Sequence, residues 1–338
     1  MNYLYINSSS FEIVIDEIIV TSLVATNWDS MSDFLSKTSI NIDGVLIHSN
    51  LLNVNYDFIS LANSLYQRNQ CPIILLCEDK SKFTNSLILQ LLFNQIYTES
   101  DIVLNSSKVK RQLISLAQGY KVINAQKTIK SILQISKSEF ENLDIRFQAE
   151  FDSLLKSPSH EIARFILREV IEFQGILIDE NVLAARLGVD ISKSDIDWND
   201  LKKELESCKY NGVFGDAWER WWWFKIANWW NDNFLNISLR RLSAHKRVEA
   251  INTHRKLNLV SITTKQSWQS DAFWTVCIKK NIPIDITDGF TLVKESVVKT
   301  WQEKHYVSID YIYETGDRKI ISLIEYERLE ELKKIYED

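Results

Sequence analysis

The segment I-D-G-V-L-I-H-S, residues 42–49, decides the fold. Its apolar residues run consecutively instead of alternating with polar ones, as in a strand covered on both faces of a parallel sheet. Pro72–Cys77 (P-I-I-L-L-C) has the same character, and Asn2–Asn7 (N-Y-L-Y-I-N) supplies a strand ahead of both. Asp101–Leu104 (D-I-V-L) reads as a further strand. Helical spacing over Tyr56–Arg68 and Phe83–Phe93 separates these runs. Strands alternating with helices predict an α/β domain with an open parallel sheet and right-handed crossovers.

The succession D-G-V-L-I-H-S-N-L-L, a helix, C-P-I-I-L-L-C-E-D and then D-I-V-L-N-S-S-K-V resembles a bacterial response-regulator receiver domain over about the first third of the chain. The resemblance implies a receiver/flavodoxin-like scaffold, but the residues that carry the family's chemistry are replaced. Its acidic pair after the first strand meets Asn7 and Ser8, and its phospho-accepting aspartate falls on His48. Its Thr/Ser after the fourth strand becomes Cys77, and its lysine falls near Ser106. A magnesium ion needs carboxylate oxygens, so the expectation is a degenerate pseudo-receiver with no metal and no cofactor. His48 then reads as a polar residue ending a strand, and its phosphorylation is the alternative.

Three regions follow from the patterning: a receiver-like domain over 1–122, a helical linker over 123–157, and a tryptophan-rich, mainly helical domain over 158–338. In the linker, Ser138-x-x-Glu141 forms a capping box ahead of Phe140, Leu143, Phe147, Phe151, Leu154 and Leu155, and Ser157-Pro158 ends the helix. Ser159 then caps a helix to Gln174, with Gly175 as its stop. Residues 178–189 resemble the second helix and turn of a helix-turn-helix module, but the following Asp195–Lys209 holds five acids against three lysines. That balance repels a phosphate-lined groove.

Trp218–Trp230 (W-E-R-W-W-W-F-K-I-A-N-W-W) holds six tryptophans in thirteen residues. Read as one helix capped by Asp216, it carries an apolar arc of roughly 220°, wider than a surface helix needs. Such a helix is sheathed by its own domain or shares a face with a protein partner through Trp221, Trp223 and Trp230. Each buried indole N–H requires an acceptor, and Asn228 and Asn231 are the polar neighbours at hand.

Leu239–Lys256 is the strongly basic stretch. Arg240, Arg241, Lys246, Arg247, Arg255 and Lys256 lie there with His245 and His254 against a single acid, Glu249. These cations form a solvated helix face, an acidic-partner surface or a nucleic-acid contact. Arg240-x-x-x-x-His245 also resembles the R-x4-H motif of HEPN-type ribonucleases, which would make Arg240 and His245 catalytic. Toward the end of the chain, Asp271–Lys280 reads as a short helix or strand and Pro283–Phe290 as a turn region. Tyr306–Tyr313 and Lys319–Ile324 read as a hairpin, with a helix over Tyr326–Tyr336.

A net charge of −6 gives no global attraction to nucleic acid or anionic lipid. The four cysteines, Cys71, Cys77, Cys208 and Cys277, show no metal-ligand spacing, and the acidic start (Glu12, Asp16, Glu17) does not read as a secretory signal. No apolar run reaches the ~18 residues of a membrane span. The expectation is a soluble cytoplasmic protein with buried free thiols. With eight glycines there is no G-x-G-x-x-G and no P-loop, and no zinc quartet or G-x-S-x-G elbow occurs. The pattern points to a non-catalytic regulatory or scaffold subunit that binds a protein partner. Proteins of this build resemble accessory components of bacterial multi-gene systems, defence systems included. The rival is a nucleic-acid-binding subunit working through 240–256.

Overall fold

The structure is a computed structural model that describes residues 1–7, 13–24, 42–54, 64–66, 70–81, 92–143, 145–172, 176–234, 239, 242 and 244–261. It also describes three short strands over 274–277, 282–285 and 306–308. The chain forms two compact units that do not divide at a single position. The first comprises Met1–Phe140, Ala149–Leu167 and Asn211–Trp218, and the second Glu141–Gln148, Arg168–Tyr210 and Glu219–Asp338.

The first unit is built on five parallel strands, β1 (Asn2–Asn7), β2 (Ile19–Val24), β3 (Gly44–His48), β4 (Ile73–Cys77) and β5 (Gln95–Thr98), in the order β2-β1-β3-β4-β5. Every residue of β3 and β4 is buried, which is why their sequences run apolar without alternation. Helices α1 (Glu99–Leu104) and α2 (Ser106–Ala125) follow β5 directly. Helix α2 buries Val109, Leu113, Leu116, Ala117, Tyr120 and Ile123 on one face, an i, i+4, i+7 stripe. Hydroxyls fix it to the sheet: Tyr3 donates to the Leu113 carbonyl (2.7 Å) and Tyr97 to Gln112 Oε1 (2.8 Å). Tyr120 donates to Asn94 Oδ1 (3.2 Å), which also accepts from the Ile73 N–H (2.9 Å).

After α3 (Ile129–Leu133) and α4 (Lys137–Phe140), helix α5 (Ile145–Leu154) carries Phe147 and Phe151, and α6 (Ser159–Phe165) carries Phe165. Phe140, Phe151 and Phe165 pack ring to ring at 5.7 and 6.4 Å. Helix α6 runs on into a π-helical turn, Ile166–Ile171.

In the second unit β6 (Leu177–Ile178) is followed by α7 (Glu180–Leu187) and α8 (Asp195–Glu204). Then come β7 (Trp221–Trp222), α9 (Trp223–Asn233) and α10 (Ala244–Arg255). One core gathers Trp198, Trp221, Trp223, Trp229 and Trp230 with Leu183, Leu187, Leu201, Ile226 and Ile251. Strands β8 (Trp274–Cys277), β9 (Ile282–Asp285) and β10 (Tyr306–Ser308) form an antiparallel sheet in the order β10-β8-β9.

Several expectations change. Asp101–Leu104 is helix, not strand, because Thr98 and Asp101 close a capping box that starts α1. The capping box expected at Ser138 and Glu141 lies at Ser136 and Glu139: Glu139 Oε2 accepts from the Ser136 N–H (2.7 Å), and Ser136 Oγ accepts from the Glu139 N–H (3.2 Å). Pro158, not Ser159, stands at the N-cap of α6. The tryptophan helix begins at Trp223 instead of Trp218, and Asp216 does not cap it, because Trp221 and Trp222 pair as a strand with Ile178 and Leu177. Of the turn region expected over Pro283–Phe290, residues 283–285 belong to strand β9. The hairpin expected over Tyr306–Tyr313 and Lys319–Ile324 lies outside the described residues apart from Tyr306–Ser308, as does the helix over Tyr326–Tyr336.

Candidate functional site

The carboxyl ends of parallel strands, where the strand order reverses, are where doubly wound sheets place ligands and chemistry. In this sheet the reversal falls between β1 and β3, whose last residues are Asn7 and His48. Asn7 is fully buried and His48 is 5% exposed. Residues 8–12, which come next in the sequence, lie outside the described residues.

Both nitrogens of His48 are committed. The backbone N–H of Asn50, in the turn that follows β3, donates to Nδ1 at 3.1 Å. Nδ1 is therefore the bare acceptor, and the ring proton sits on Nε2. That N–H faces Glu99 Oε1 at 2.8 Å. Glu99 opens α1 directly after β5, so one hydrogen bond ties the ends of β3 and β5 across β4. Tyr5 of β1 packs edge-on to the imidazole, with centroids 6.3 Å apart and planes at 83°. Burial raises the pKa of its hydroxyl.

Cys77 ends β4, and its thiol donates to the Tyr97 carbonyl at 3.4 Å. Burial pushes that thiol up to about 11, and Cys71, at the other end of the strand, up to about 12. Both are protonated and unreactive near neutrality. Strand β5 ends at Thr98, and Ser106 belongs to α2. The residue that meets His48 is an acid, Glu99. Among the described residues no group of three or more His, Cys, Asp or Glu side chains converges in a way that could hold a metal ion. Helix α1 leaves Val103 (77%) and Leu104 (79%) exposed two turns or less from Glu99.

The three tryptophans expected to face a partner are core residues: Trp221 is 1% exposed, Trp223 7% and Trp230 0%. The Arg186 guanidinium lies 4.5 Å above the Trp223 ring, and Trp230 stacks on Phe234 at 4.2 Å. Two of the indoles find glutamates, not Asn228 and Asn231, which are exposed, and the buried Trp221 Nε1 has no hydrogen-bond partner among the described residues. Trp198 donates to Glu180 Oε1 (2.8 Å), and Trp229 donates to Glu204 Oε1 (2.9 Å). Each glutamate also takes a cation, Lys202 for Glu180 and Arg255 for Glu204.

The basic stretch is partly consumed in the same way. Arg255 hydrogen-bonds Glu204 through Nε and Nη2. Arg247 is 2% exposed and donates to the Leu242 carbonyl at 2.9 Å. Lys246 and Lys256 are exposed, as are His245 and His254. Arg240 and Arg241 lie outside the described residues, so the Arg240–His245 pair has no described geometry.

No helix among the described residues is long and apolar enough to cross a membrane. Comparison of the chain with family models, with curated proteins and with solved structures finds no match.

Proposed function

We propose that this chain is a regulatory or scaffold protein whose first unit is a pseudo-receiver, a signalling scaffold that no longer transfers phosphoryl groups and works by binding a protein partner. The observation that carries the reading is the double commitment of His48. An imidazole that accepts at Nδ1 and donates at Nε2 has no lone pair left to attack phosphorus. Where receiver chemistry needs a carboxylate at the end of the third strand and a cation after the fifth, this chain has an imidazole and a carboxylate. The strand order β2-β1-β3-β4-β5 supports the reading, since flavodoxin-like doubly wound sheets use it.

Exposed Val103 and Leu104 support the partner-binding half of the reading, because they present apolar surface on the helix that His48 anchors through Glu99. The test is intact-mass spectrometry after incubation with acetyl phosphate and Mg²⁺. The expected result is an unchanged mass, and a phosphoryl adduct on His48 overturns the proposal.

A further inference from the structure

Protonation acts on the two bonds of His48 differently. A neutral imidazole has one acceptor nitrogen, and a charged one has none. The Nε2–H is a donor in both states, so the 2.8 Å bond to Glu99 Oε1 survives protonation and becomes an ion pair. Nδ1 changes role. While the ring is neutral it accepts from the Asn50 N–H at 3.1 Å, and once protonated it is a second donor aimed at that same N–H. Two N–H groups cannot share one bond, so the contact turns from attractive to repulsive.

We propose that His48 is a proton-operated latch on the 3-10 turn Ser49–Val54, closed while the ring is neutral and opened when it takes up a proton. The ring itself stays in place. It is 5% exposed, it ends a strand buried along its whole length, and Glu99 holds its other nitrogen. The movement falls instead on the backbone at Asn50, the second residue of the turn, while Leu51 beside it is buried and stays packed. The turn follows β3 at the sheet's carboxyl end, beside the point where the strand order reverses. The latch therefore reshapes the rim of that end in response to acid.

The groups around the ring leave the switching to His48. Tyr5 of β1 packs edge-on to it, and Cys77 ends the neighbouring β4. Burial raises the Tyr5 hydroxyl and pushes the Cys77 thiol up to about 11, so both keep their protons where imidazoles titrate. Charge comes to this end of the sheet from Glu99 and Asp101 of α1 and from Asp79 and Lys80 after β4, and of these Glu99 bonds the ring. Strand β3 and the turn itself bring no charged side chain besides the imidazole. Proton binding leaves no adduct, so the latch and the loss of phosphoryl transfer fail separately.

Nitrogen NMR of the whole chain, titrated from about pH 7.5 to 5, tests the latch. The expected result is one midpoint shared by the His48 ring nitrogens and the Asn50 backbone N–H. Below it, Asn50 loses about tenfold or more of its exchange protection. His48→Asn keeps a carboxamide oxygen where Nδ1 stands and cannot take up a proton, so the Asn50 step disappears. The shared midpoint in the unaltered chain decides even if that variant does not fold. An Asn50 N–H that stays unchanged while His48 titrates overturns the proposal. So does a ring that remains neutral until the chain unfolds, or an Asn50 step that persists in His48→Asn.

Discussion

The ring of Phe214 lies directly on Gly119. A Cβ on Gly119 would clash with Cε1 of Phe214 and stand 2.7 Å from its Cδ1. Phe214 reaches that position with φ at 72°, the left-handed region a bulky residue rarely adopts, and the neighbouring Val213 N–H donates to the Ile132 carbonyl at 2.8 Å. Glycine inside a helix ordinarily costs about 1 kcal/mol relative to alanine, so Gly→Ala at an open helical site stabilises. At Gly119 the sign reverses. Gly119→Ala is expected to lower stability by about 1–3 kcal/mol through overpacking, read as a lower urea midpoint. A midpoint that rises would show that the ring moves aside freely.

Asn50 and Glu99 together set the tautomer of His48, and nitrogen NMR reads it directly. The expected spectrum has the proton on Nε2 and a bare Nδ1. Glu99→Ala removes the acceptor from a buried N–H, at a cost of about 1–3 kcal/mol. It also frees the ring to exchange tautomers. A proton on Nδ1 in the unaltered chain would contradict the arrangement at the sheet's carboxyl end.

The strands that could be read from sequence are those buried on both faces. Residues 44–48 and 73–77 announce themselves by unbroken apolar content, because nothing along them faces water. Strand β2 escapes that test because none of its six residues is buried, and β5 because it has only four residues, with both ends partly exposed. Asp101–Leu104 misleads for the converse reason: its Ile, Val and Leu look strand-like, while the deciding signal is the small Thr98-x-x-Asp101 box before them.

The tryptophan stretch fails as a single helix for a non-local reason, since Trp221 and Trp222 are claimed by residues some forty positions earlier. His48 could be located from sequence, but Glu99, fifty-one positions away, could not. Sequence periodicity carries local geometry, and these pairings are set by topology.

Arg255 belongs to the architecture of the second unit, not to a free basic face. Its guanidinium binds Glu204 and Asn233 and lies 5.9 Å from the Trp229 ring, which itself donates to Glu204. With side-chain exposures of 25% and 34%, water screens the Arg255–Glu204 pair. Arg255→Ala is therefore expected to cost about 1 kcal/mol, mostly through the lost hydrogen bonds. The loss should show as a lower thermal midpoint and a changed Trp229 fluorescence. Filter binding to RNA supplies the contrast: steep salt dependence over roughly 50–200 mM that vanishes with Lys246→Ala/Lys256→Ala would return the basic stretch to nucleic-acid recognition.

The imidazole of His160 stacks on the Tyr66 ring, with centroids 4.5 Å apart and planes 18° from parallel. Its pKa lies below the ordinary 6.5: burial disfavours the cation first, Glu161 opposes that, and Arg164 and Lys127 add to the lowering. The unfolded chain then binds the proton more readily than the folded one, so stability rises with pH. The contribution is fully present above the unfolded value near 6.5, declines as pH falls through it, and levels off below the folded value. His160→Phe keeps a ring on Tyr66 and removes the titration. Hydrogen exchange of the sheet amides at about pH 5 and 7.5 should show the unaltered chain losing protection at the acid end, and the variant losing less. Equal losses in the two chains would place the acid sensitivity elsewhere in the first unit.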